Sequence, residues 1–156
     1  MNYIALLLVL VFSAGTASGQ LRINLEHDHL AASDTLWIDV RMSSDSDTLD
    51  VPVNSFQFVV SSTGNMAFIG SKSSFTLTQK SGWTTGEKAD NGLVGGFSSS
   101  IDAINTIGVL IRLQFVLKGT DTSGTIELRD FKLNSGIPDH FPTTPSLQLD
   151  LRDHLE

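Results

Sequence analysis

The stretch GVLIRLQFVLKG, residues 108–119, has the clearest hydrophobic pattern in the chain. Two sets of side chains alternate along it: Val109, Ile111, Leu113, Phe115 and Leu117 form one set, and Leu110, Arg112, Gln114, Val116 and Lys118 form the other. Because side chains of a β-strand point alternately to opposite faces, this pattern predicts a strand with the first set in the core. The second set is then expected to face outward.

Similar alternation recurs on both sides of this strand, and no stretch keeps the helical period of 3.6 residues. It predicts further strands at residues 21–25, 36–42, 56–60, 66–69, 75–78, 93–97, 126–133 and 147–151. The phase of the pattern changes between Leu128 and Phe131, which predicts a β-bulge near Arg129 and Asp130. About nine strands separated by Gly, Ser, Asp and Asn indicate an all-β, antiparallel β-sandwich.

Two glycines and a group of prolines mark special positions in this pattern. Gly95 and Gly96 lie inside a predicted strand, where they indicate a bulge or a close approach of another group to the backbone. Three of the four prolines lie between residues 138 and 145. We interpret residues 137–145 as a long crossover to the last strand.

The N-terminus has the features of a secretory signal peptide. Residues 4–12, IALLLVLVF, are uniformly apolar, and the small residues SAGTASG follow at 13–19. Ala17 and Gly19 fit the small-x-small pattern of signal peptidase sites, so we expect cleavage before Gln20. A membrane span needs about 20 apolar residues, and this run is much shorter. The expected organisation is a signal peptide at 1–19 and one domain at 20–156, located outside the cell or in the cell envelope.

Charge and cysteine content exclude several classes of protein. The 156 residues include 17 acidic and 10 basic side chains, all after residue 19, for a net charge of −7. Nucleic-acid binding needs a basic surface, so we expect no nucleic-acid partner. The chain has no cysteine, which excludes disulfides, cysteine zinc sites and cysteine nucleophiles. We also expect no membrane span in the mature chain.

The sequence offers little metal chemistry. His27 and His29 would share one face of a strand, but no third ligand is near in sequence, and a catalytic zinc needs three. Asp45, Asp47 and Asp50 resemble the start of a calcium loop, although Asp50 stands where an EF-hand needs glycine. We therefore predict no cofactor, with calcium at these three aspartates as the remaining candidate.

The catalytic patterns that would indicate an enzyme are missing. No serine lies in a G-x-S-x-G elbow, and residues 92–100, GLVGGFSSS, have neither the lysine of a phosphate loop nor a dinucleotide fingerprint. The glutamates are scattered, so no carboxylate pair for glycoside hydrolysis can be inferred. We expect a protein that is not an enzyme.

Two tryptophans are the aromatic residues best suited to stack on a sugar. Trp37 lies on the polar face of its predicted strand, and Trp83 lies in the turn-rich stretch KSGWTTGEKADNG. Either ring could stack on a soluble sugar chain or pack under a loop, as large aromatic side chains usually do. Trp37 and Trp83 are therefore the carbohydrate-stacking candidates.

From Asp34 to Asn134 the chain resembles a cohesin domain. The likeness is carried by DTLWIDVRM at 34–42, SFQFVVSSTGNMAFIG at 55–70 and the run NGLVGGFSSSIDAINTIGVLIRLQFVLKGTDTSGTIEL at 91–128. Where cohesins commonly carry a tyrosine and an aspartate, this chain has Ser62 and Thr63. The resemblance implies a jelly-roll sandwich that binds dockerin modules, in the same structural superfamily as several cellulose-binding modules.

The resemblance also implies a partner-binding face. It would include outward positions of the SFQFVV strand and the loop after the FSSS strand, which are here Ser55, Gln57, Ser98, Ser100, Asp102 and Asn105. The implied function is a secreted module for protein–protein assembly in extracellular polysaccharide processing. The alternatives are a carbohydrate-binding module of the same superfamily and a structural subunit of a surface assembly.

Overall fold

The computed structural model describes residues 21–27, 35–80, 82–134 and 144–151, apart from the side chain of Ser100. Eleven strands occupy most of these ranges: β1 (Arg22–His27), β2 (Thr35–Ser43), β3 (Thr48–Val53), β4 (Ser55–Ser62), β5 (Met66–Lys72), β6 (Trp83–Lys88), β7 (Leu93–Ser98), β8 (Ile104–Thr106), β9 (Gly108–Leu117), β10 (Ser123–Leu133) and β11 (Ser146–Asp150). Two short 3-10 turns interrupt them, η1 (Leu77–Gln79) and η2 (Ser100–Asp102).

The strands form two sheets that pack face to face, as predicted for an antiparallel β-sandwich. One sheet has four strands in the order β1-β2-β9-β5, and the other has five in the order β11-β10-β4-β7-β6. All the strand pairs are antiparallel. The short strands β3 and β8 form a separate ribbon. This ribbon lies at the end where β4 and β9 begin and β2 and β7 end, which we call the ribbon end.

The alternation read from the sequence sets the inner face of the four-stranded sheet. Ile111, Leu113 and Phe115 of β9 are completely buried, as predicted. The neighbouring strand β2 contributes its own alternating set to the same core: Leu36, Ile38, Val40 and Met42. Eight of the nine predicted strands are confirmed, and the fold class follows from this alternation because each sheet buries one face.

Leu110 is an exception to the predicted alternation on β9. It was expected to face outward, but it is completely buried. The pairing of β2 with β9 shifts between Val40 and Arg41, so the strand bulges beside Leu110. The neighbouring turn η1 covers this position, and the Thr78 hydroxyl donates a hydrogen bond of 2.9 Å to the Leu110 carbonyl.

The bulge predicted near Arg129 and Asp130 is confirmed. The register between β10 and β4 shifts between Arg129 and Lys132, and Asp130 has a positive φ of 50°. The extra residue restores the phase of the strand, so that Phe131 and Leu133 face the core as Ile126 and Leu128 do.

The strand predicted at residues 75–78 is wrong, because this segment forms a turn that leads into η1. Local hydrogen bonds hold it in that shape. The Thr76 amide and hydroxyl both donate to the Ser73 carbonyl, and the Phe75 amide donates to the Gln79 side chain. Such side-chain bonds compete with strand pairing.

Three strands were not predicted. β3 begins inside the aspartate-rich stretch DSDTLD at residues 45–50, β6 has the polar sequence WTTGEK, and β8 is only three residues long. β6 is an edge strand, and β8 is too short to show a pattern. In β3, Leu49, Val51 and Val53 do alternate, but Val51 stays 55% exposed because β3 pairs only with β8. The proposed crossover at residues 137–145 lies largely outside the described residues. In the part of the chain that the structure describes, no helix has the length and apolar character needed to cross a membrane.

Candidate functional site

The outer face of the five-stranded sheet is assembled from β10, β4, β7 and β6. Gln57 on β4 lies between Gly95 on β7 and Lys132 on β10. Gly95 in turn pairs with Gly86 on β6. The strand alternation that buries Phe56 and Phe58 turns Gln57 to this outer face, where it is exposed.

A shallow groove of about 640 Å³ crosses this outer face, and we call it the outer groove. Gly86 and Gly95 lie side by side along it, and the absence of side chains there leaves the depression. Leu93 and Phe97 of β7 supply apolar walls, and Lys132 and Lys88 are among the lining residues. Phe97 is 62% exposed, which is high for an aromatic side chain of a folded domain. An apolar groove of this kind is the usual mark of a binding surface.

Two of the predicted partner-binding residues lie in the outer groove. Ser55 and Gln57 both line it. Ser98 does not belong to this face, because the alternation on β7 that turns Phe97 outward turns Ser98 inward, opposite Trp83. Its hydroxyl oxygen is buried and finds no hydrogen-bond partner among the described residues. Ser98 therefore lies on the inner side of β7 and does not line the outer groove. The side chain of Ser100 is outside the described part of the chain.

Asp102 and Asn105 lie at the ribbon end, beside the groove and not in it. Asp102 belongs to η2, and its carbonyl accepts a hydrogen bond of 2.8 Å from the Trp83 indole. Asn105 is exposed on β8, which pairs with β3. The predicted face is therefore divided between a sheet surface and an adjacent loop region.

Sequence reasoning missed the residues that give the groove its character. Phe97 lies in LVGGFS, where both alternating sets look apolar, so only the pairing with β4 shows which set faces outward. Asn134 also borders the groove. Its side-chain oxygen accepts from the amides of Asn54 and Ser55, and its side-chain nitrogen donates to the Pro52 carbonyl. Asn134 thereby fixes the start of β4 against the ribbon and the end of β10.

Trp37 lies on the outer face of the opposite, four-stranded sheet. It pairs with Gln114 of β9, and the Lys72 ammonium lies 4.8 Å from the centre of its ring. This is the geometry of a cation–π contact. Charged side chains surround it, as Arg112 bonds both oxygens of Asp39 at 2.7 and 3.1 Å and Arg41 bonds Glu26 at 2.7 Å. The ring is half-buried.

Trp83 lies on the inner side of β6, in the other sheet. Its ring stacks on Phe56 with 6.1 Å between centres, and its indole nitrogen bonds Asp102. Trp83 packs beneath the turn η2. Of the two roles that the sequence allowed, stacking on a sugar or packing under a loop, the structure shows the packing role. Trp37 and Trp83 therefore belong to different sheets and face different sides, so they do not form a common platform for a sugar.

The structure does not bring the three aspartates proposed for calcium together as a group of ligands. Asp45 bonds Arg22 at 2.7 Å, and the described residues contain no group of three His, Asp or Glu side chains that could hold a metal ion. His29 of the histidine pair lies outside the described residues.

Comparison with known proteins relates the fold to solved structures. A cohesin module from a family 33 glycoside hydrolase of Clostridium perfringens superposes with a TM-score of 0.52 and 12% identity, over 85% of this chain and 96% of that one. The sixth cohesin of scaffoldin B from Acetivibrio cellulolyticus, solved with a Cel5 dockerin, superposes with a TM-score of 0.51 and 16% identity, over 72% of this chain and 86% of that one. No protein-family model matches the sequence, and no curated protein matches it. The chain has the jelly-roll fold of a cohesin module.

Proposed function

We propose that this chain is a secreted, non-catalytic binding module that docks a dockerin-type protein partner on the outer groove. The observation that carries the proposal is the difference between the two outer sheet faces. One face is filled with paired charges, whereas the other has an apolar groove with an exposed aromatic ring.

The charged face is suited to remain in water. Asp39 pairs with Arg112, and Glu26 pairs with Arg41, so these groups are already satisfied within the chain. A partner docking there would have to displace or desolvate these pairs, which costs free energy unless new partners replace them.

The outer groove, in contrast, exposes apolar side chains that a partner can bury. Burial of Phe97 and Leu93 by a partner would remove apolar surface from water, at about 25 cal/mol per Å² of that surface. Aromatic side chains are frequent anchors of protein interfaces. A stable interface needs about 800 Å² from each partner, and the four strands that border the groove supply a continuous surface on which to build it. Ser55 and Gln57 would add hydrogen bonds at its centre.

The comparisons support a protein partner by analogy of fold. The Acetivibrio cohesin was solved as a complex with a dockerin, and the proposal extends that kind of partner to this chain. The alternatives remain a soluble polysaccharide and a neighbouring subunit of a surface assembly. The wide separation of Trp37 and Trp83 favours the protein partner over the polysaccharide, because a sugar platform needs several rings on one face.

Location and role complete the proposal. Residues 1–19 act as a signal peptide and residues 20–156 as one domain, which works in extracellular polysaccharide processing. The module recruits its partner without catalysing a reaction, because the sequence assembles no base, nucleophile and orienting group.

The test compares binding of purified variants to a panel of immobilised dockerin modules. Gln57→Arg introduces a large cation beside Lys132 in the middle of the groove, and Phe97→Ala removes the exposed ring. We expect each change to weaken binding about tenfold or more, as for central interface residues.

Gln114→Arg is the matched control, since Gln114 is the outward glutamine of the opposite sheet. It should leave the dissociation constant unchanged, as should Trp37→Ala. Affinity electrophoresis in soluble polysaccharides tests the alternative that the ligand is a polysaccharide. If no dockerin binds, or if a glycan retards the protein and Trp37→Ala abolishes that retardation in a folded variant, the protein-binding proposal is wrong.

A further inference from the structure

Large apolar side chains are exposed at the ribbon end, away from the centre of the outer groove. The described residues include five exposed large hydrophobic side chains: Val51 at 55%, Ile69 at 43%, Phe75 at 85%, Phe97 at 62% and Ile101 at 92%. Val51, Phe75 and Ile101 lie at or next to the ribbon end, whereas Phe97 lines the outer groove. Exposed apolar residues are ordinary when scattered, but a group at one end of a domain marks an interaction surface.

Phe75 is the most unusual of these residues, because its backbone has a positive φ of 60°. A bulky residue rarely adopts this conformation, and such strain persists only where the surroundings impose it. Here the Phe75 amide donates a 2.7 Å hydrogen bond to the Gln79 side chain. The result is a phenylalanine ring pointed into solvent by a backbone that the loop holds in place.

The loop that carries Phe75 is anchored to the core. The buried Thr78 hydroxyl donates to the Leu110 carbonyl at 2.9 Å. Leu77 lies next to Gly108, where an added Cβ would stand in van der Waals contact with the leucine side chain at 3.4 Å. Phe75 is therefore displayed from a fixed support, and a partner that binds it would lose little free energy in ordering the loop.

Ile101 is displayed from a neighbouring support. The turn η2 that contains it is tied to β6 by the bond between the Trp83 indole and the Asp102 carbonyl. The Trp83 amide in turn bonds the Lys80 carbonyl, at the end of the loop that carries Phe75. The loop that carries Phe75 and the turn that carries Ile101 are therefore both hydrogen-bonded to Trp83.

The charged residues at the ribbon end are mainly acidic, and the exposed Lys80 on the loop that carries Phe75 is the basic exception. Asp50 precedes Val51 on the exposed strand β3, Asp47 precedes that strand, and Asp102 follows Ile101. Arg22 already pairs with Asp45. Negative charge would repel an anionic lipid surface, and also a second copy of a chain whose net charge is −7. It attracts a basic partner.

We propose that the ribbon end is a second docking surface, centred on Phe75 and Ile101, for a protein segment that combines apolar side chains with flanking Lys or Arg. This surface is separate from the outer groove. It can therefore function whether or not a dockerin-type partner occupies the groove.

The test uses a phage-displayed random peptide library as the probe, selected on the purified exported protein. Selected peptides should combine Leu, Phe or Trp with Lys or Arg. Phe75→Ser and Ile101→Ser should each weaken binding of these peptides about tenfold, whereas Phe75→Leu should retain most of the affinity. Raised salt should weaken binding as well, because the charge contribution is screened.

Two controls separate this surface from others. Ile69→Ser removes an exposed apolar side chain on β5 and should leave peptide binding unchanged. Gln57→Arg alters the outer groove and should also leave it unchanged, so failure of one proposal is distinguishable from failure of the other.

Several results would overturn the inference. One is selection of acidic peptides, and another is equal binding of the peptides to Phe75→Ser. A third is Phe75-dependent binding to vesicles of phosphatidylcholine and phosphatidylglycerol, which would assign the surface to a membrane. A fourth is a Phe75-dependent dimer in sedimentation velocity, which would assign it to a second copy.

Discussion

Four aromatic rings form a stacked row along the inner side of the five-stranded sheet. Phe131 and Phe58 lie 5.2 Å apart, Phe58 and Phe56 lie 5.9 Å apart, and Phe56 and Trp83 lie 6.1 Å apart between ring centres. The row crosses β7 at Gly96, where a Cβ would lie 2.6 Å from an edge carbon of Phe56. The close approach expected at the double glycine is therefore an aromatic ring lying on the strand.

Gly96→Ala tests this packing at the residue scale. The added methyl group would force Phe56 to move, and overpacking of a core typically costs about 1 to 3 kcal/mol. We expect the free energy of unfolding to fall by that amount in urea denaturation followed by circular dichroism.

Gly86→Ala is the matched control for Gly96→Ala. Gly86 lies on the neighbouring strand β6, and nothing lies within 4 Å of a Cβ built there. We expect it to change the free energy of unfolding by about 0.5 kcal/mol or less. Equal losses for both variants would show that the ring does not rest on Gly96.

At the scale of elements, β9 organises the four-stranded sheet because it pairs with β2 on one side and β5 on the other. Phe115 lies on the inner face of β9 and is completely buried. It makes an edge-to-face contact with Phe68, with 5.7 Å between ring centres. Gln114, one residue earlier, faces outward beside Trp37 and is half-buried. A shift of one residue in register would exchange these two environments.

Phe115→Ala and Gln114→Ala therefore report on the register of β9. Removal of the buried ring should lower the free energy of unfolding by about 3 to 5 kcal/mol, whereas truncation of Gln114 should lower it by about 0.5 kcal/mol. Chemical denaturation of the two variants checks the difference. Similar losses in both would mean that the strand faces are assigned incorrectly.

At the scale of the whole molecule, charge is distributed unevenly over the sandwich. The ion pairs of Asp39 with Arg112 and of Glu26 with Arg41 lie on the outer face of the four-stranded sheet. The lysines that line the outer groove, Lys88 and Lys132, lie on the other side, and exposed aspartates lie at the ribbon end. The exposed pair of Glu26 with Arg41 contributes little to stability, whereas the side chains of Asp39 and Arg112 are only 13% and 28% exposed. The distribution of charge also bears on which partner each surface can bind.

Processing of the N-terminus is a further expectation for the whole molecule. The apolar run at residues 4–12 is too short to span a membrane, and small residues precede Gln20. Mass spectrometry of the exported protein should therefore find a chain that starts at Gln20, partly cyclised to pyroglutamate. Recovery of a mature protein that retains residues 4–12 would contradict the export of this chain by signal-peptide cleavage.

Local periodicity was sufficient to predict most of the strands and the inner residues of the core. It also predicted the bulge of β10, because one extra residue in a strand shifts the phase of its alternating pattern. It did not predict β6 or the turn at Phe75. An edge strand needs little alternation of its own, and a turn held by Thr and Gln side chains can resemble a strand in sequence.

The sequence by itself determined the fold class, the core faces of the long strands and the positions of Ser55 and Gln57 on an outer face. These properties follow from alternation within one strand, which is a local property of the chain. Only the tertiary structure decided that Phe97 faces outward and Ser98 inward, and that Trp37 and Trp83 lie in different sheets. It also decided that Phe75 and Ile101 are displayed at the same end. Each of these depends on which strands pair and in what register, and residues far apart in the chain set that pairing through their packing.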